Sequence, residues 1–210
     1  MAELEILGMP QSNFVWVCRI AATEKGVPYK LIPARPHTPE IDAIHPFGQM
    51  PAMRHGDFTL FESKAICTYI DRAFPGPALI PADVKQAALA EQWISAVNTS
   101  IDPLCVRQFL LGYIFPGTPD GSPDRKKIDA ALPKLKTQLG VLEKATGNGH
   151  LVGSSFTLAD AFLMPILYYL SKTPEGGEGI KAHKALSAYL ARHIERASIK
   201  GTLPPPMPGK

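Results

Sequence analysis

The spacing of apolar residues changes along the chain, and each change predicts an element. Leu4, Ile6 and Leu7 form a short apolar run ended by Gly8 and Pro10, which reads as a first strand. From Asn13 to Lys25, Phe14, Val17, Cys18 and Ala21 fall at helical spacing, and Gly26 stands where a helix ends on a left-handed glycine. Ser12 or Asn13 can cap the start of this helix, because a short side-chain oxygen accepts a free backbone N–H there. Tyr29 to Pro33 reads as a second strand, and residues 34–50, rich in Pro and His, as an irregular connection. Pro51–Arg54 and Phe58–Phe61 are short strands separated by His55-Gly56-Asp57, turn chemistry that implies a hairpin. A helix from Ser63 to about Ala73 follows. The order β-α-β, a long link, then β-β-α predicts a mixed four-stranded sheet with helices on its faces.

Residues 74–84, F-P-G-P-A-L-I-P-A-D-V, interrupt every periodicity. Proline removes a donor and fixes φ, so neither a helix nor a central strand runs through them. Beyond this stretch the pattern is helical throughout. Leu89, Trp93, Ala96 and Val97 share a face from about Lys85 to Thr99, and the pattern resumes to Ile114. Ile128, Leu132, Leu135, Leu139 and Leu142 mark an amphipathic helix, preceded by the turn-rich loop Gly117 to Pro123. Thr157-Leu158-Ala159-Asp160 has the form of a capping box, ahead of the apolar stripe Leu158, Ala161, Phe162 and Ile166. A last helix is predicted from about Lys181 to Arg196, and the end, T-L-P-P-P-M-P-G-K, as a loose tail. The domains expected are therefore 1–75, an α/β unit, and 86–210, all-helical, joined by a Pro-rich linker at 76–85.

Composition narrows the class. The chain has 210 residues, 45% of them hydrophobic and 20% charged, which fits a globular protein better than a disordered or fibrous one. A net charge of +3 with no block of like charges argues against nucleic acid as a partner. No run of eighteen apolar residues exists, and the start M-A-E-L-E-I lacks a basic n-region, so neither a membrane span nor a signal peptide is expected. Cys18, Cys67 and Cys105 are odd in number, widely spaced and at core-like positions. They predict neither a disulfide framework nor a zinc ribbon, and a cytoplasmic setting.

The chemistry concentrates in His45-Pro46-Phe47-Gly48-Gln49-Met50-Pro51-Ala52 and in Leu60-Phe61-Glu62-Ser63-Lys64-Ala65-Ile66. Pro51 can open a strand because its first residue need not donate to the ladder. With a cis Met50–Pro51 bond, the N–H and C=O of Met50 can turn outward toward an extended peptide ligand. Glu62 and Ser63 stand where a strand gives way to a helix, whose N-terminal N–H groups favour a carboxylate, while Glu62 offers an anion to an ammonium group. One junction can therefore hold both charges of an α-amino-acid head.

With these motifs, a four-stranded α/β unit, a Pro-rich linker and an all-helical domain, the chain resembles the cytosolic glutathione transferases. The resemblance spans nearly all 210 residues, and H-P-F-G-Q-M-P with F-E-S-K-A-I is most similar to the phi-type and related bacterial members. It implies a thioredoxin-like first domain. It further implies that Met50 pairs through its backbone with the cysteinyl part of glutathione, with Pro51 as the cis-proline. Gln49 is implied to contact the glutathione backbone, and Glu62 and Ser63 to hold the γ-glutamyl head. Where the family usually carries a basic pair for the glycine carboxylate, this chain reads Pro36 and His37, leaving His37 as the candidate.

For the thiol, a hydroxyl that donates to sulfur near a helix N-terminus favours the reactive thiolate. In serine-type members this hydroxyl follows the first strand, which implies Ser12, with Asn13 as second donor. The resemblance implies conjugation of glutathione to hydrophobic electrophiles, or reduction of organic peroxides, with glutathione as co-substrate and no metal or other cofactor. It also implies an apolar pocket for the second substrate, between the domains, and a two-fold homodimer. Among Trp93, Phe109, Tyr113 and Phe115, Tyr113 is the candidate for that pocket, the alternative for all four being core packing. Alternative functions are a zeta-like isomerase, whose S-S-C motif is replaced here by Gln11-Ser12-Asn13, a cysteine-type thiol transferase, and a non-catalytic scaffold.

Overall fold

The structure, a computed structural model, describes residues 2–206; the rest of the expected tail, 207–210, lies outside the described residues. The described residues divide into two compact units, one of residues 2–82 together with 196–206, the other Asp83–Glu195.

The first unit is built on the strands β1 (Leu4–Leu7), β2 (Tyr29–Ile32), β3 (Ala52–His55) and β4 (Phe58–Phe61), in the order β2-β1-β3-β4. β2 runs parallel to β1, while β3 is antiparallel to both β1 and β4. A parallel pair needs a crossover, supplied by α1 (Asn13–Glu24); an antiparallel pair needs only a tight turn, supplied at Gly56, whose φ is +64°. α1 ends as the pattern predicts, with Gly26 at φ +68° just past its cap. Its residues Val15, Trp16, Val17, Cys18, Ile20, Ala21 and Ala22 are all buried, and it packs against α3 (Ser63–Ala73), which buries Ile66, Cys67 and Ile70. A four-residue helix, α2 (Pro39–Asp42), interrupts the connection that the sequence left irregular. It is too short for periodicity to reveal.

Two charge pairs, one of them fully buried, tie the outer segments to this unit. Lys25 Nζ lies 3.3 Å from Asp71 Oδ1, both side chains nearly inaccessible. Asp71 also accepts the Leu79 and Ile80 N–H groups at 2.7 and 3.2 Å, so it holds the proline-rich stretch in place. Glu24 receives Arg196 through two hydrogen bonds of 2.8 and 2.7 Å and the Ser198 hydroxyl through another. Residues 196–206 thus belong with the sheet, against the expectation that everything after 86 packs with the helices. Nor is the start of the tail loose. Thr202 is buried and accepts the Trp16 indole N–H at 2.8 Å, and Gln11 donates to the Pro206 carbonyl at 3.3 Å. Prolines conceal such anchoring, which is made by a threonine ahead of them and by a carbonyl that proline keeps.

The second unit is all-helical among its described residues. Asp83 caps α4 (Val84–Ala96) by accepting the Gln86 N–H at 2.9 Å. The helix continues as a π-helical segment, Val97–Leu110, and closes as α5 (Leu111–Ile114). Pro103 has no N–H for the α ladder, and wider turns accommodate it. The buried face of α4 is Ala90 and Ile94, continued by Val97, while Leu89 is exposed and Trp93 and Ala96 are half-buried. The predicted face was thus rotated by about one residue, because the large side chains Leu89 and Trp93 outweighed the small Ala90. α6 (Arg125–Ala145) buries Ile128, Leu135, Leu139 and Leu142, as its period predicts, and Ala131 beside them, while the predicted Leu132 is only half-buried. α7 (Leu158–Ser171) is buried on nearly every side and forms the centre of the unit. Around it lie α9 (Lys184–Ile194), the helix predicted from about Lys181 to Arg196, and α8 (Pro174–Lys181), which the pattern does not predict; α10 (Ala197–Lys200) follows and belongs to the first unit. The sequence P-E-G-G-E-G-I-K of α8 has three glycines, which oppose helix locally; Gly176 sits against the Leu170 carbonyl, where a Cβ has no room.

Asp160 holds the start of α7. It is inaccessible, and its carboxylate accepts the Leu151 N–H (2.9 Å), the Thr157 N–H (2.9 Å), the Thr157 hydroxyl (3.1 Å) and the Tyr189 hydroxyl (2.8 Å). Removing it strands several buried donors at once, each of which costs roughly 1–3 kcal/mol. Asp160→Ala is expected to lower the unfolding free energy, measured by urea denaturation, by about 3 kcal/mol or more, and Asp160→Asn by less.

Candidate functional site

The sheet register brings the candidate residues together. Leu7 pairs with Ile32, Leu7 with Ala52 and Ala52 with Phe61, so the C-terminal ends of β1, β2 and β4 and the N-terminal end of β3 form one row. Every candidate of the first unit lies on a segment that leaves or enters the sheet at that row: Ser12 and Asn13 beyond β1, His37 beyond β2, Gln49, Met50 and Pro51 ahead of β3, Glu62 and Ser63 beyond β4. The two long helices of this unit, α1 and α3, also begin there, so the positive ends of two helix dipoles lie at one edge of the sheet.

Ser12 is the N-cap of α1, with extended backbone (φ −67°, ψ 128°), and its Oγ accepts the Val15 N–H at 3.4 Å. A serine hydroxyl has two lone pairs and one proton, so a cap bond leaves the proton available for a second partner. Asn13, the first helical residue, is buried. The β1–α1 loop is linked to the next segment by the Met9 N–H, which donates to the Met50 thioether sulfur at 3.2 Å. Met50–Pro51 is the one cis peptide bond among the described residues, as the sequence reading anticipated. Gln49 is exposed, Met50 half-buried and Pro51 buried.

His37 has φ +59°, and its N–H donates to the Gly48 carbonyl at 2.9 Å. Its ring is largely exposed, with Nδ1 3.9 Å from an Asp42 carboxylate oxygen. Gly48, at φ +61°, lies directly beneath that ring, where a Cβ would collide with it. Glu62 has φ +68° and ψ 118°, a conformation that glycine adopts freely and glutamate does not. The side chain is exposed, and its carbonyl accepts the Ile66 N–H at 3.0 Å. Ser63, next in line, is buried as the first residue of α3.

Neither cysteine of this unit lies at the row. Cys18 and Cys67 are buried, their sulfurs 3.9 Å apart, and Cys18 Sγ is also 3.9 Å from the Ser63 carbonyl. Burial, with Cys67 alongside, pushes the Cys18 thiol up, away from the depressed value a cysteine-type mechanism calls for. Cys105 is likewise pushed up to about 12, by burial and then by the nearby Asp102.

In the helical unit, Tyr113 stacks edge-on against Phe109 at 5.6 Å and donates its hydroxyl to Glu175, while Arg125 reaches both Tyr113 (3.2 Å) and Glu175 (2.6 Å). Partial burial and the Glu175 bond push the phenol up to about 12. Of its neighbours in the sequence reading, Phe109 is core and Phe115 exposed. His150, Asp160 and His193 bring metal-ligating atoms within 4.8 Å of one another, but the Asp160 carboxylate is already committed to its hydrogen bonds in the fold.

The chain matches two family models, "Glutathione S-transferase, N-terminal domain" over residues 6–78 and "Glutathione S-transferase, C-terminal domain" over residues 93–197. It is 32% identical over 223 aligned positions to glutathione S-transferase 3 of Zea mays, covering 98% of each chain. It is 30% identical over 206 positions to glutathione S-transferase 1 of the same plant, covering 95% of each. Among solved structures it resembles maize glutathione S-transferase I in complex with an atrazine glutathione conjugate, at a TM-score of 0.85 and 29% identity over 96% of each chain. The chain belongs to the glutathione S-transferase family. It is a glutathione transferase, joining glutathione to electrophiles, on a thioredoxin-like domain followed by an all-helical one.

The sequence did not reveal the left-handed backbone at Glu62 and His37 or the Met9–Met50 link, because none of these residue types announces such geometry. Glu62→Gly is expected to leave the unfolding free energy unchanged or to raise it by up to about 1 kcal/mol, and Glu62→Val to lower it by about 1–3 kcal/mol, in urea denaturation.

Proposed function

We propose that glutathione lies along the row at the end of the sheet, its γ-glutamyl head at Glu62 and Ser63 and its sulfur at Ser12. The N-terminus of α3 and the Ser63 N–H and hydroxyl attract the head carboxylate, and Glu62 takes the ammonium. Met50 pairs with the cysteinyl residue through its backbone, as Gln49 contacts the tripeptide and His37 faces the glycine carboxylate. This is the arrangement of the phi-type, serine-dependent members.

The observation that carries this reading is the state of Ser12. Its oxygen accepts the Val15 N–H at the start of α1, a bond that does not use the hydroxyl proton. A hydroxyl donor and a helix N-terminus both stabilise an anion, and together they lower the pKa of a thiol placed against them. The thiol proton leaves to solvent, the thiolate attacks the electrophilic carbon, a C–S bond forms, and any leaving group departs with its bonding pair. Asn13, adjacent and buried, is the second donor. Tyr113 offers its ring to a hydrophobic second substrate. A homodimer is supported by Phe47 and Phe58, large apolar side chains exposed on the sheet unit. A cytoplasmic setting is supported by three buried free thiols, and no helix among the described residues is long and apolar enough to cross a membrane.

Hydrogen bonds to charged groups contribute roughly 1.5–3 kcal/mol, which sets the scale of the test. Ser12→Ala is expected to bind glutathione normally by calorimetry, to raise the pKa of the bound thiol in an ultraviolet thiolate titration, and to lower kcat at neutral pH about tenfold to a hundredfold. Normal turnover by Ser12→Ala would remove the residue from this role. Glu62→Gln is expected instead to weaken glutathione binding about tenfold with the bound thiol's pKa unchanged.

A further inference from the structure

We propose that His45 is a positioning residue for glutathione, acting through the turn that leads to Gln49 and Met50; this rests on the assignment of those two residues to glutathione. The Gly48 N–H donates to the His45 carbonyl at 2.9 Å, closing the four-residue turn His45-Pro46-Phe47-Gly48. Neither Pro46 nor Phe47 has positive φ, which excludes type II and, with the closing hydrogen bond, matches the common type I turn. Type I turns favour proline second, glycine last, and Asp, Asn or Ser first. Short side chains are favoured in the first place because their oxygen accepts the N–H two residues on. Here the second and last places are filled as the rule expects, and the first holds a histidine.

The imidazole does the work of the missing short side chain. The Phe47 N–H donates to His45 Nδ1 at 3.3 Å. That bond requires a neutral ring with its proton on Nε2. His45 is only 3% exposed, and its ring packs on Phe61, the last residue of β4, at 4.8 Å between centroids. The backbone of the same residue ties the turn to α2, its N–H donating to the Ile41 carbonyl at 2.7 Å. Gly48 at the far end of the turn receives the His37 N–H. Gln49, Met50 and Pro51 follow at once. One side chain therefore joins the turn to the strand end that carries Glu62, and sets the path of the chain into Met50. Its loss leaves the Phe47 N–H unpaired and lets that path vary, which costs binding and not chemistry.

The test compares wild type with His45→Ala, His45→Asn and His45→Phe. It reads glutathione Kd by calorimetry, and KM and kcat with chlorodinitrobenzene as electrophile, beside urea midpoints. His45→Ala is expected to raise the Kd and KM for glutathione about fivefold, with kcat at saturating glutathione within about twofold of wild type. His45→Asn is expected to restore both constants to within about twofold, because its amide oxygen accepts the same N–H. Rescue by His45→Phe and not by His45→Asn would make the ring mere packing and overturn the proposal, as would unchanged constants in His45→Ala. Should His45→Ala not fold, nitrogen-15 spectra of the wild type decide: the proposal requires an unprotonated Nδ1 and a protonated Nε2, and the opposite tautomer overturns it. A wild-type chain that binds no glutathione would overturn the site assignment and this proposal with it. Binding in wild type that is indifferent to His45 overturns the proposal alone.

Discussion

Everything at the site depends on the register of three short strands. Leu7, Ala52 and Phe61 lie side by side across β1, β3 and β4, and four residues per strand leave little length in which to make up an error. A slip of one residue turns the buried Ala52 and Met53 to the opposite faces and moves Pro51 away from Glu62 by a full pleat. The hairpin turn at Gly56-Asp57 sets the register from one end, and the pairing of β3 with β1 sets it from the other. With that row in place, the cap of α1, the Met50–Pro51 bond and the start of α3 are brought to one edge without any of them having to recognise the others. The Met9–Met50 and His37–Gly48 hydrogen bonds then act as small local corrections.

The division of labour between stability and function follows the same line. Burial and closed polar networks lie away from the row: Lys25 with Asp71, Glu24 with Arg196 and Ser198, and Asp160 with its donors. At the row the backbone is less comfortable. The two left-handed non-glycine residues among those described, His37 and Glu62, are both candidate ligand contacts. Strain of this kind persists only where the surroundings over-determine it, and here the rigid sheet on one side and two helix starts on the other supply that constraint.

Much of this was legible in the sequence, for identifiable reasons. Helices with one apolar face, such as α6 with Ile128, Leu135, Leu139 and Leu142, declare themselves by period, and α1 and α3 by their ends. The candidate site was legible because it is made where elements meet, and meeting points are marked by Pro51, Gly48 and Ser63, residues with strong positional preferences. What was hidden depended on tertiary context. α8 forms despite three glycines because its neighbours hold Gly176 and Ile180 in place. Small Ala90 outranks large Leu89 at the buried face of α4 because packing space, not hydrophobicity, decides there. His45 stood at the head of the motif without a role of its own, because imidazole seldom serves as the acceptor at the head of a type I turn.

The most direct measurement is a crystal structure of the chain with glutathione. The account predicts the γ-glutamyl carboxylate against the Ser63 N–H with its ammonium at Glu62, the cysteinyl backbone paired with Met50, and the sulfur within hydrogen-bond distance of Ser12 Oγ. A tripeptide bound along this row with its sulfur held by another side chain, or bound away from the row altogether, would contradict it.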